Sequence, residues 1–221
     1  MIRHIRSVLR PEEVLRLREL AQQVKFVDGR ATNPAGSVKN NLQVSHGDPG
    51  ASEPGVILRD ALMRHPEVRS FAMPRQMARP TLARYEPGMN YGWHVDEALF
   101  PSTPPMRSDL SCTVWLSEPD AYDGGELTIE LGQQALSFKG AAGDAVLYPS
   151  TTIHQVASVT RGQRLVGITW FQSYIGDAHR RELLIQIDEA RAIEFQRGAD
   201  PRMTVLLESL RTNLFRMWSD A

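Results

Sequence analysis

One cysteine, three lysines and no long apolar run mark what this chain of 221 residues lacks. The lone Cys112 cannot close an intrachain disulfide. It sits in the apolar run Leu110–Leu116 and reads as a small buried core residue, which suits a reducing cytoplasm. No window approaches the roughly 20 apolar residues of a membrane span. Met1-Ile-Arg-His-Ile-Arg6 is followed by no long apolar stretch, so neither a signal peptide nor a membrane helix is expected. An excess of one charge is also missing. The net charge of −1 leaves no electrostatic case for a nucleic-acid or anionic-membrane partner. Lysine occurs only at positions 25, 39 and 139, arginine being the common base, and this carries no functional reading.

What is present suits one large domain or a core with appendages. Pro11 to Val24 predicts a helix, with proline at the first helical position and Val14, Leu17, Ala21 and Val24 as its apolar stripe. Ser52 to Arg64 predicts a second, through Val56, Leu58, Ala61 and Leu62. Between them Asp28–Gly50 is rich in Gly, Asn, Ser and Pro, and reads as a long loop. From Gln76 onward the texture changes to short extended runs: Met77–Tyr85, Leu110–Leu116, Glu126–Leu131, Ala135–Phe138, Ala145–Tyr148, Ile153–Val159 and Arg164–Tyr174. Many short strands with regular turn signals predict a sandwich or barrel such as a jelly roll. The tail returns to helix. Asp177 is placed to cap Ala178–Phe195, with Leu183, Leu184, Ile187 and Ala190 inward. Asp200-Pro201 starts a last helix whose row Leu206, Leu210, Leu214 and Trp218 would pack on the core or meet a second copy in a homo-oligomer. The expected division is 1–75 for N-terminal helices and loop, 76–176 for the β core and 177–221 for the helical extension.

The chemistry concentrates at His94, Asp96, His154 and Arg164. In Tyr85-Glu-Pro-Gly88-Met-Asn-Tyr91-Gly-Trp-His94-Val-Asp96, turn residues precede a short extended run. Residues i and i+2 of a strand share a face, so His94 and Asp96 could reach one ion while Val95 points away. With His154 near the start of a later strand they make two histidines and a carboxylate. Such a set holds one face of a ferrous ion and leaves the other open. Arg164 opens an otherwise apolar strand after the turn at Gly162. An arginine aimed into a barrel needs an anionic partner, and its planar fork matches a carboxylate. Arg161 competes for that role but sits in the turn. Tyr85 reads either as a co-substrate contact or as a core aromatic. Asp144 and Asp123–Leu127 read as turn elements, and Trp170 and Phe171 as core, with a supporting place beside the site for one of them as the alternative.

The linked set Tyr85-x-x-Gly88-x-x-Tyr91-x-x-His94-x-Asp96, Gly124-Gly125-Glu126-Leu127, Gly143-Asp144 with Tyr148-Pro149, His154 and Arg164 resembles the iron(II)/2-oxoglutarate dioxygenases of the prolyl-4-hydroxylase type. More narrowly it resembles the bacterial PKHD-type hydroxylases, as do Gly36-Ser-Val-Lys39-Asn40-Asn41 and the C-terminal helices. The resemblance implies a double-stranded β-helix, a mainly β form of the α+β class. It implies that His94, Asp96 and His154 bind Fe(II), that Arg164 holds the distal carboxylate of 2-oxoglutarate, and that Tyr85 hydrogen-bonds this co-substrate. It also implies ascorbate as an optional reductant and no separate catalytic acid or base. Arg164 departs from those prolyl hydroxylases that use lysine at this place.

The activity so implied is O2-dependent hydroxylation, coupled to decarboxylation of 2-oxoglutarate to succinate and carbon dioxide. Related halogenases replace the carboxylate ligand by a small residue, so Asp96 favours hydroxylation. The resemblance leaves the substrate open among a prolyl residue, a free amino acid and a small metabolite, and its link to iron uptake hints at a siderophore-related or peptide target. Lys39, Asn40, Asn41, Arg107 and the Leu99–Arg107 insertion are candidate substrate contacts, with solvated loop residues as the alternative. Two rival readings remain at this level: a non-catalytic jelly-roll module for a small ligand or metal sensing, and a cupin-like enzyme with another metal and no keto acid. The first has no use for an open iron face. The second leaves Arg164 unexplained.

Overall fold

A computed structural model describes residues 1–32, 38–45, 47–198 and 200–220, without the side chains of residues 31 and 32. Gly36 and Ser37 therefore lie outside the described residues. Two antiparallel sheets face each other. The larger runs in the order Arg3–Ile5, Ala145–Pro149, Leu110–Trp115, Arg164–Ser173, Thr81–Tyr85, Leu42–Val44, Phe26–Asp28, and Pro74–Met77 pairs with the far end of Arg164–Ser173. The smaller runs Gln134–Phe138, Leu127–Leu131, His154–Val156, Asn90–His94, Lys39–Asn40. This is the expected jelly roll with helices added.

The pleat sorts the side chains. Along Leu110–Trp115, Leu110, Cys112 and Val114 face the helices, while Trp115 joins the core between the sheets. Leu82, Leu147, Leu165 and Phe171 lie on the helix side; Ala83, Tyr85, Val146, Tyr148 and Val166 lie between the sheets. Helix Pro11–Gln23 covers the larger sheet with Val14, Leu17, Leu20 and Ala21, and helix Ser52–Arg64 with Leu58, Ala61 and Leu62. Val56, expected inward, is exposed. Cys112 is buried, and burial pushes its thiol well above the ordinary range.

Several elements were invisible to periodicity. The expected loop Asp28–Gly50 carries strands Lys39–Asn40 and Leu42–Val44, one in each sheet, so this segment passes from one sheet to the other. The run expected over Met77–Tyr85 is two strands broken before Thr81, and Ile153–Val159 divides into His154–Val156 and Val159–Gly162. A short helix, Pro66–Ala72, adds Val68 and Phe71 to the core.

The C-terminal helices form as their caps dictate. The Asp177 carboxylate accepts the Arg180 amide at 2.7 Å, and Asp200 accepts those of Arg202 and Met203 at 2.7 and 3.1 Å. Their packing differs from the expected stripe. In Ala178–Gln196 the buried residues are Arg181, Leu184 and Ile185, while Ala190 is exposed. Arg181 belongs inside because its guanidinium donates to the carbonyls of Ile175 and Gly176 at 2.6 and 2.8 Å. In Pro201–Trp218, Leu214, Phe215 and Trp218 lie against the core, but Leu206 and Leu210 are about half exposed. Among the described residues no helix is long and apolar enough to cross a membrane.

Candidate active site

Between the sheets lies a cavity of about 640 Å³. His94, Asp96, His154, Arg164, Tyr85 and Trp170 all contribute to its wall. Antiparallel pairing sets His94 directly opposite His154, with ring centroids 4.2 Å apart. Asp96 arrives differently from the expected i, i+2 strand geometry. Its strand ends at His94, and the carboxylate reaches the histidines from the irregular segment just beyond, while Val95 is exposed. His94 Nε2 lies 4.0 Å from Asp96 Oδ1, and His154 Nε2 lies 3.7 Å from Asp96 Oδ2. One ligand atom from each of the three residues falls within 4.8 Å of the others.

The backbone settles the histidine tautomers. His94 Nδ1 lies 2.8 Å from the Gly92 carbonyl, and His154 Nδ1 lies 3.0 Å from that of Thr152. A carbonyl only accepts, so each Nδ1 carries its proton and each Nε2 lone pair is free for a metal. Burial, and then the neighbouring His154, push the His94 pKa down to about 4, keeping its ring neutral. Tyr91 stacks on His94 at 3.5 Å, and Tyr148 meets His154 edge-on at 4.9 Å. The Ser111 hydroxyl donates to Asp96 Oδ2 and lies 2.8 Å from the Ser150 hydroxyl. Neither serine was singled out from the sequence, since only the fold brings them to the carboxylate.

Arg164 is 1% exposed, and its Nε and Nη2 have no hydrogen-bond partner among the described residues. Its charge lies 4.9 Å from the centre of the Tyr85 ring. Tyr85 is buried, and burial raises its phenol pKa against the opposing pull of Arg164. Gly125 leaves room for Arg164: a Cβ there would come within 3.0 Å of Arg164 Cδ. The competing Arg161 is exposed and paired with Asp123 at 2.7 Å, as its turn position implied. Two guanidinium donors held dry without an acceptor among the described residues fit a ligand carboxylate.

The remaining expectations sort cleanly. Phe100 of the Leu99–Arg107 insertion lines the cavity and lies 4.9 Å from Trp170. Trp170 is thus a cavity residue rather than core packing, whereas Phe171 is buried in the core. Arg107 is not part of the cavity lining and forms ion pairs with Asp109 and Asp220 at 2.6 and 2.7 Å. Asn40 donates to the Gly88 carbonyl at 3.2 Å, but Lys39 and Asn41 line the cavity and are buried. Asp144 is more than a turn residue. It is buried and accepts from His4 Nε2 and the Ser7 amide, each at 3.0 Å.

Residues 80–172 match the 2OG-Fe(II) oxygenase superfamily. A protein of Sphingopyxis alaskensis named PKHD-type hydroxylase is 42% identical over 213 residues, covering 96% of this chain and 97% of its own. A namesake from Burkholderia lata is 42% identical over the full length of both chains. This chain belongs to the PKHD-type hydroxylases. It is an iron(II)- and 2-oxoglutarate-dependent dioxygenase, which displaces the non-catalytic and cupin-like readings. Among solved structures, a prolyl hydroxylase of Trichoplax adhaerens in complex with a hypoxia inducible factor peptide fragment shares the fold. Its TM-score is 0.59 at 17% identity, over 77% of this chain and 82% of that one. The epimerase SnoN, solved with Fe3+ and alpha ketoglutarate, gives 0.56 at 16% identity over 78% and 79%. Oxygenases of this superfamily act on small-molecule or peptide substrates with O2.

Proposed function

We propose that in this hydroxylase His94, Asp96 and His154 are the iron(II) ligands and that Arg164 receives the distal carboxylate of 2-oxoglutarate, with Tyr85 beside it. The observation that carries this reading is the buried Arg164 guanidinium, whose Nε and Nη2 have no hydrogen-bond partner among the described residues, in the same cavity as two imidazole Nε2 atoms and a carboxylate. When bound, iron and 2-oxoglutarate supply oxygen activation and the oxidising power for C–H hydroxylation. The chain supplies orientation. The Gly92 and Thr152 carbonyls aim the imidazoles, Ser111 aims the carboxylate, and the sheets keep water from the arginine. No side chain is needed as a separate acid or base. The buried thiol of Cys112 suits a cytoplasmic location, and the balanced net charge speaks against a nucleic-acid substrate. The division at residues 75 and 176 remains part of this proposal.

Anaerobically purified protein given iron(II), 2-oxoglutarate and air should release succinate, and His154→Ala and Asp96→Ala should abolish this. Equal turnover in either variant, with iron replete, would refute the ligand assignment.

A further inference from the structure

Between Asp96 and Asp109 the chain leaves both main sheets. Leu99–Phe100 and Met106–Arg107 pair only with each other, with Phe100 opposite Met106, and both of those side chains line the cavity. Ser108 closes the neck of this hairpin. Its amide donates to the Ala98 carbonyl at 3.0 Å, and its hydroxyl donates to that of Glu97. The tip, residues 101–105, is exposed. Two strands of two residues are too short to hold themselves in water, so the hairpin must be fixed from outside. Its position matters to the site. The cavity wall is buried at Tyr85, Tyr148, His154 and Arg164, whereas Gln76, Arg79, Glu97, Pro101 and Ser102 line it and are exposed. The cavity therefore meets solvent on the hairpin side.

Arg107 supplies the fixing point. Its guanidinium donates to the Asp109 carboxylate at 2.6 and 3.2 Å and to that of Asp220 at 2.7 Å. Asp109 is seated in the larger sheet, where its carboxylate accepts the Ser173 amide at 2.8 Å and its amide donates to the Phe171 carbonyl at 2.9 Å. Asp220 follows the last helix and is held as well. Its amide donates to the Tyr174 carbonyl at 2.8 Å, and its carbonyl accepts from Arg75 at 3.3 Å. The start of the helical extension takes part too. A Cβ at Gly176 would come within 2.5 Å of Arg107 Nη2, so glycine makes the room for the guanidinium. Arg107 is thus gripped between the two ends of the extension. The Asp109 carboxylate is 5% exposed and that of Asp220 45%, which makes Asp220 the weaker, releasable half of the grip.

We propose that Arg107 and Asp220 are positioning residues of this hydroxylase. Through them the C-terminal helical extension latches the hairpin Leu99–Arg107 against the cavity and controls passage between solvent and the site. Neither residue touches the reacting atoms. The gating of 2-oxoglutarate rests on the assignment of this co-substrate to the cavity; the latch itself does not.

Hydrogen exchange of the metal-free protein reads the latch. Asp220→Asn keeps the backbone contacts of residue 220 and removes its charge. Exchange in peptides spanning 97–108 should become about fivefold faster, the scale of a partly exposed charge pair, while helix Pro201–Trp218 stays unchanged. Asp220→Glu should keep the slow exchange, and Gly176→Ala should reproduce the fast one by displacing Arg107. Stopped-flow binding of 2-oxoglutarate to the iron(II) protein under nitrogen reads the gate, followed by the absorbance band of the iron-bound ligand. A gate that is open more of the time speeds entry and exit alike. Both rate constants should therefore rise about fivefold in Asp220→Asn at an unchanged Kd. Hairpin exchange equal to the wild type in that variant overturns the proposal. So does faster exchange with unchanged 2-oxoglutarate rates, which would make the pair purely structural. Faster dissociation alone, with a raised Kd, would assign the pair to the co-substrate pocket and overturn it equally. Absence of the band in the wild type would overturn the gate together with the co-substrate assignment, whereas the exchange result would still decide the latch.

Discussion

Arg164→Met tests whether a buried cation is held for a ligand or for the fold. Methionine retains most of the length and packing of the side chain and removes the charge. In the wild type Nε and Nη2 are buried without hydrogen-bond partners among the described residues, so the ligand-free protein bears the desolvation of that cation against the return of the Tyr85 ring at 4.9 Å and the neighbouring Tyr122 phenol. The variant without 2-oxoglutarate should therefore lose no more than about 1 kcal/mol, the size of such a ring contact. Ligand binding should behave oppositely. Two hydrogen bonds to a charged carboxylate at about 1.5 kcal/mol each amount to about 3 kcal/mol, or roughly a hundredfold in affinity. At a concentration of about one hundred times the wild-type Kd, 2-oxoglutarate stabilises the wild type by about 2.7 kcal/mol and the variant by only about 0.4. For a chain of this size that is a rise in Tm of roughly 5–10 °C against about 1 °C. Thermal melts of the iron(II) protein under nitrogen, with and without 2-oxoglutarate, read both effects. A variant that melts well below the wild type yet keeps the full ligand-induced shift would show Arg164 to be a structural cation and refute the reasoning.

Two further outcomes follow from the same geometry. Ser111→Ala leaves Asp96 Oδ2 without its hydroxyl donor, so iron(II) affinity should fall by about tenfold to a hundredfold while the fold persists, as competitive metal titration would show; an unchanged affinity would mean the carboxylate needs no orientation. Burial lowers the Lys39 pKa from 10.5 to about 8, with Asp96 and Asp28 opposing. Between those values the unfolded chain binds the extra proton, so the metal-free protein should gain stability relative to Lys39→Met as pH rises from about 8 toward 10.5; parallel pH profiles for the two proteins would contradict the burial of the charged ammonium.

Much of the site was legible because its motif is local. His94 and Asp96 sit in one short run between turn residues, and Arg164 opens a strand after Gly162. Ser111 and Ser150 were not legible. A serine in an apolar strand carries no signal until the sheet sets it beside Asp96. Gly125 likewise looked like turn punctuation, yet it is also the space Arg164 occupies. Arg107 looked available from its loop, but its partners Asp109 and Asp220 meet it only in the folded chain.

The sequence by itself determined the elements long enough to show a period or a cap, the jelly-roll texture of the middle, and the residue types able to hold iron and a dicarboxylate. It did so because amphipathic spacing, Asp-Pro caps and glycine turns act within a few residues. Only the tertiary structure decided which side chains lost water. It placed two-residue strands, too short for any period, across both sheets. It turned Lys39, Asn41 and Gln43 into a cavity wall and moved Trp170 from core to cavity lining. It also left Leu206 and Leu210 half exposed on a helix whose stripe predicted burial. Burial depends on what arrives from elsewhere in the chain, and no local pattern carries that information.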